Sequence, residues 1–77
     1  MRIIDTIAHP QIRISIFQMN QKYIVKLELG AMEQSFKFSE LDIINLELLK
    51  ADVIDKIIPN ALIRFEEMNK DLMKCLG

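Results

Sequence analysis

Residues 11–38, QIRISIFQMNQKYIVKLELGAMEQSFKF, decide the fold. In QIRISIFQM the residues Ile12, Ile14 and Ile16 alternate with Gln11, Arg13 and Ser15, the period of a strand with one buried face. Asn20 and Gln21 can close a two-residue turn, although Asn-Gln is weaker turn chemistry than Asn-Gly. That turn pairs Met19 with Lys22 and sets Ile16 opposite Val25, Ile14 opposite Leu27 and Ile12 opposite Leu29. All three of these pairs are apolar. The other face receives Arg13 opposite Glu28, an opposite-charge pair that cross-strand packing favours. A slip of one residue destroys both results at once, which selects this register.

Gly30 supplies the second turn, since a first central position with positive φ suits glycine. Leu29 then meets Met32, Val25 meets Phe36 and Tyr23 meets Phe38, while Leu27 meets Gln34, a polar intruder among them. The outer face is mostly polar, with an apolar group of Phe17, Met19 and Ile24 at one end.

Past Ser39 the apolar period becomes helical. Counted at about 100° per residue from Ile54, the residues Ile57, Ile58, Ala61, Phe65, Met68, Leu72, Cys75 and Leu76 lie within about 60° of one line. Lys56, Asn60, Glu67, Lys70 and Lys74 take the far side together with Ile63, and Glu66 precedes Lys70 in the favourable i,i+4 order. Asp52 followed by Asp55 resembles a capping box with Asp in place of Glu. Because the phase runs unbroken across Pro59, the pattern predicts one long helix kinked near that proline. Residues 40–50, ELDIINLELLK, read as a short helix capped by Ser39 or an irregular segment in preference to a fourth strand built on Ile44, Leu46 and Leu48. Ile3, Ile4 and Ile7 are expected to cover an edge of the core. Residues 1–77 are thus predicted to form a single α+β domain, a three-stranded antiparallel β-meander packed on a long C-terminal helix.

A composition of 51% hydrophobic and 27% charged residues excludes a disordered tail or a polar linker. With 77 residues there is no room for a second module. For a chain of this size, apolar burial about balances the conformational entropy lost on folding. Cys75 is the only cysteine, so no intrachain disulfide adds to that balance, and a homodimer is expected to supply the margin. Asp5 and His9 interrupt the stretch where a signal peptide would be apolar, no apolar run is long enough for a membrane span, and a reduced cytoplasmic setting is the default expectation. Net charge is −1, which makes no overall electrostatic case for nucleic acid or an anionic membrane. The charge is nonetheless uneven. Residues 11–39 set Arg13, Lys22, Lys26 and Lys37 against Glu28 and Glu33, whereas residues 40–77 carry eight acids and five bases.

His9 is the sole imidazole and Cys75 the sole thiol. Cys75 falls on the helix stripe and is expected to be a small buried hydrophobe, and His9 to be solvated or to cap a turn. No zinc, EF-hand or P-loop spacing is present, so neither a metal nor a cofactor is expected. Glu66, Glu67 and Asp71, interleaved with Lys70 and Lys74, read as a solvated helix face. Two surfaces have individuality. Phe17, Met19 and Ile24, beside Lys22, Lys26 and Lys37, form an apolar patch with a basic rim, which reads as a protein interface. Leu62, Ile63 and Met73 widen the helix stripe beyond what three strands would cover. The expected function is that of a small non-enzymatic interaction or accessory protein, self-associating through one of these patches. A nucleic-acid accessory protein using Phe17, Lys22, Lys26 and Lys37 is the alternative. A small enzyme with His9 in a cleft across a dimer interface is the third reading.

Overall fold

The computed structural model describes residues 2–77 as an α+β fold. Strands β1 (Arg2–Ile7), β2 (Arg13–Met19), β3 (Lys22–Leu29) and β4 (Met32–Ser39) form one antiparallel sheet in the order β1-β2-β3-β4. The meander registers as its alternation requires, with Ile14 opposite Leu27, Ile16 opposite Val25, Arg13 opposite Glu28 and Val25 opposite Phe36. Asn20 and Gln21 both take positive φ, 52° and 63°, which is the type I′ geometry that the strand twist demands. Gly30, at φ 59°, opens the second turn.

The sheet has four strands, not three. The N-terminal segment expected to cap a core edge is β1, paired with β2 through Ile3 to Phe17 and Ile7 to Ile14. Its register shifts between Ile3 and Asp5, so Ile4 is the extra residue of a bulge. The bulge turns Asp5 toward the same face as Ile7, where it meets the helical layer.

That layer begins with a 3₁₀ turn at Glu40–Asp42, whose Leu41 N–H is accepted by Ser39 Oγ at 3.3 Å. Helix α1 (Leu46–Asp52) follows, so the segment after Ser39 adds no strand to the sheet. Its cap is Asn45, whose Oδ1 accepts from Leu48 N–H at 2.8 Å. The capping box expected at Asp52 is absent, because Asp52 already has helical dihedrals and makes no capping bond. One π turn, Val53–Ile57, then leads into helix α2 (Ile58–Leu76). The Ile58 N–H reaches back to the Val53 carbonyl. Pro59 sits in the first turn of α2 and has no N–H to offer the Asp55 carbonyl, so the widened turn lies where a regular helix would be broken.

The π turn resets the buried face. The buried residues of the helical layer are Leu49, Val53, Ile58, Ala61 and Phe65, with a step of five between Val53 and Ile58 and steps of three or four elsewhere. Ile54, expected on the stripe, is consequently 53% exposed, while Val53 is fully buried. The distal stripe also departs from expectation: Leu72 is half-buried, and Cys75 and Leu76 are exposed. Ala61 sits level with Gln34, and Leu72 lies beside Ala31 and Met32 at the hairpin end, where the helix and the hairpin are separated by open grooves.

Gln18 Nε2 on β2 donates to Glu40 Oε1 of the 3₁₀ turn, and two polar clamps tie α1 and α2 to the sheet. At one edge Lys50 Nζ on α1 lies 2.8 Å from Asp5 Oδ2 on β1. At the other, Gln34 resolves its place on an apolar face: its Nε2 donates to the Ala61 carbonyl at 3.0 Å, and its Oε1 accepts from Arg64 Nε at 2.8 Å. The Arg64 guanidinium also lies 5.8 Å from the Phe36 ring centroid.

The first clamp carries a pH signature. The hydrogen bond from Lys50, and then that from the Thr6 N–H, hold the Asp5 carboxyl below its usual 3.8, and the bond to Asp5 raises Lys50 above its usual 10.5. A lowered carboxylate contributes stability that is present above its unfolded pKa and lost as pH falls through the folded value. A raised lysine contributes stability that is present below its unfolded pKa and lost as pH rises through the folded value. Asp5→Asn should therefore lower the urea midpoint at pH 7, with the gap to wild type narrowing as pH falls through and below the ordinary carboxylate range. A gap that stays constant across that range would remove the clamp.

Candidate functional site

The helices cover one face of the sheet and leave the other bare, and the registers assign every side chain on the bare face. Ile3, Phe17, Ile24 and Lys37 stand opposite one another in a single row across all four strands. One row over, Met19, Lys22 and Ser39 stand opposite one another; on the other side Thr6, Ser15, Lys26 and Ser35 form the next row. Arg13, Glu28 and Glu33 complete the surface.

Three apolar residues in one row cover each other. Ile24 is only 8% exposed although no helix lies over it, and Phe17 is half-buried, while Ile3 is 51% and Met19 37% exposed. Ile24 therefore forms the floor of the patch and not its contact surface. Ile3 completes the row and was missed from sequence, because the bulge at Ile4 hides the alternation that would have marked β1.

The charges around this row are mostly basic. Lys26 Nζ lies 5.9 Å from the Phe17 ring centroid and 3.2 Å from Glu33 Oε1. Lys22 and Lys37 have no acidic partner within salt-bridge distance among the described residues. The remaining acid, Glu28, faces Arg13 on one side and Glu33 on the other.

The second expected patch does not assemble. Leu62 packs against the core margin, whereas Ile63 and Met73, 57% and 56% exposed, are ten positions apart on α2. That spacing is about 15 Å along the axis and about 80° around it, which leaves two scattered apolar residues of the ordinary kind. The expected Glu66–Lys70 pair is likewise not formed; the i,i+4 ion pair of the helical layer is Lys56 with Asp52, at 3.4 Å.

An open cleft of about 780 Å³ lies between α2 and the β3–β4 turn, walled by Leu29, Met32, Leu62, Phe65 and Leu72, with Gln11, Glu66 and Asn69 as its polar groups. His9 does not line it. Its Nδ1 accepts the N–H groups of Gln11 and Ile12 at 3.1 and 3.4 Å, so the imidazole caps the β1–β2 turn. Cys75 lines a separate shallow groove with Met68 and Asp71. Among the described residues no three metal-ligating side chains gather, and no helix is long and apolar enough to cross a membrane. No protein-family model, curated protein or solved structure matches the chain.

Proposed function

We propose that the protein is a small non-enzymatic interaction module that works as a homodimer and presents the bare sheet face to a protein partner. The supporting observation is the row Ile3–Phe17–Ile24, an apolar strip on a face with no covering layer, bordered by Met19 and three lysines. A strip of this kind with a polar rim is characteristic of protein contact surfaces. Its lysines select the partner's chemistry. Two copies of this face laid together would crowd Lys22, Lys26 and Lys37 against their own mates, which is costly, whereas an acidic surface with apolar side chains would complement them. The self-association belongs elsewhere on the molecule. One aromatic, already beneath Lys26, is thin for a base-stacking platform.

The test of self-association is the melting temperature over about a hundredfold dilution, alongside sedimentation equilibrium at micromolar protein. A melting temperature that rises with concentration, with a dimer mass, supports the reading. An unchanging melting temperature with a monomer mass removes it. For the bare face, Met19→Lys should leave the dimer intact. Ile24→Lys is uninformative there, because a charge on the floor of the patch tests folding.

A further inference from the structure

We propose that the dimer forms by antiparallel pairing of β4 with β4 of a second copy about a two-fold axis at Ser35, an inference that rests on the self-associating reading above. The two sheet edges are not alike. β1 is six residues long and bulged at Ile4, both devices that blunt an edge. β4 is eight residues long and pairs with β3 in unbroken register without bulge or proline.

The hairpin geometry says which groups β4 leaves open. The two-residue turn makes Leu29 and Met32 a hydrogen-bonded pair, so Met32, Gln34, Phe36 and Phe38 bond inward to β3. The N–H and C=O groups of Glu33, Ser35 and Lys37 therefore point outward, where no strand lies beyond them.

The side chains on those residues are self-complementary. A two-fold axis at Ser35 places Glu33 of each chain opposite Lys37 of the other, and both form cross-strand ion pairs on the bare face. The small Ser35 side chains meet at the centre. Moving the axis to Gln34 or Phe36 sets Glu33 against Ser35 or Ser39, which leaves Glu33 with Lys26 of its own chain and Lys37 with no acid. A parallel arrangement in register sets Glu33 beside Glu33. Lys37, without an acidic partner among the described residues of the single chain, gains one in the antiparallel dimer centred on Ser35 and in none of these other arrangements.

Sedimentation equilibrium on four proteins tests the seam. Ser35→Pro removes an outward N–H that the β3 ladder does not use, so it should keep its far-UV circular dichroism and sediment as a monomer. Lys37→Glu turns both ion pairs into repulsions and should weaken association by about tenfold or more. The double variant Glu33→Lys, Lys37→Glu restores the complementarity and should bring the dissociation constant back to within about threefold of wild type. Should Ser35→Pro fail to fold, the two charge variants decide alone. A wild-type dimer that Lys37→Glu leaves unchanged, or that the double variant fails to restore, overturns the β4 seam and leaves the self-associating reading standing. A wild-type monomer overturns both.

Discussion

Val53→Asp should unfold the protein at neutral pH, while Ile54→Asp, one residue along the same helical run, should leave it folded. Counted back from Phe65 along a regular helix, Ile54 lies about 20° from the Phe65 direction and Val53 about 120° away. The π turn reverses that order by inserting one residue of phase. Val53 is fully buried and Ile54 is half-exposed. A carboxylate at position 53 would be desolvated with no cation among the core residues around it, costing at least about 4 kcal/mol, and native domains have only about 5–15 to lose. At position 54 the carboxylate would be solvated, with an expected change near 0.5 kcal/mol. Urea midpoints of the two variants measure the difference. The Val53→Asp protein should also recover stability in mild acid, as the buried carboxyl protonates. Equal midpoints, or the reverse order, would mean that the helix is regular through residues 53–57.

Phe65→Ala should cost about 3–5 kcal/mol, the usual range for truncating a buried aromatic. Phe65 is 1% exposed and is the largest fully buried side chain in the core, between α2 and the strands that carry Ile14, Leu27 and Val25. It also walls the cleft beside the β3–β4 turn, so the cavity left by truncation would open toward an existing groove and water could enter it. Glu67→Ala, on the exposed side of α2, should change stability by no more than about 0.5 kcal/mol. Leu72→Ala should fall between the two, since Leu72 is only half-buried. A denaturant midpoint for Phe65→Ala close to that of Glu67→Ala would overturn the assignment of this helix face.

Which side chains stand on the bare face depends on its register, and that register was legible from the sequence. Arg13 opposite Glu28 and Phe17 opposite Ile24 follow from alternation and two short turns, all local features within residues 11–38. Ile3 was not legible, because a bulged edge strand spaces Ile3, Ile4 and Ile7 without period two. The Lys37 position could be counted from sequence, but its lack of an acidic partner became visible only once all four strands were placed side by side.

By itself the sequence determined the elements whose information is periodic and close in the chain: the meander, its inner and outer faces, its two turns, and the central part of the α2 stripe from Ile58 to Met68. Only the tertiary structure decided the rest. Val53 replaces Ile54 because the helical layer must present Leu49 and Ile58 to the same sheet while accommodating Pro59, a requirement set by where the sheet lies. Cys75 and Leu76 are exposed although Cys75 borders an open groove with Ala31 and Met32 of the hairpin, and a helical wheel carries no record of how closely the opposing surface approaches. Gln34, an anomaly in the pattern, is satisfied by the Ala61 carbonyl and Arg64, 27 and 30 residues away in the chain, a pairing that depends on the helix crossing β4 at that height. Periodicity reports which way a side chain points; whether anything stands opposite is settled by the relative placement of whole elements.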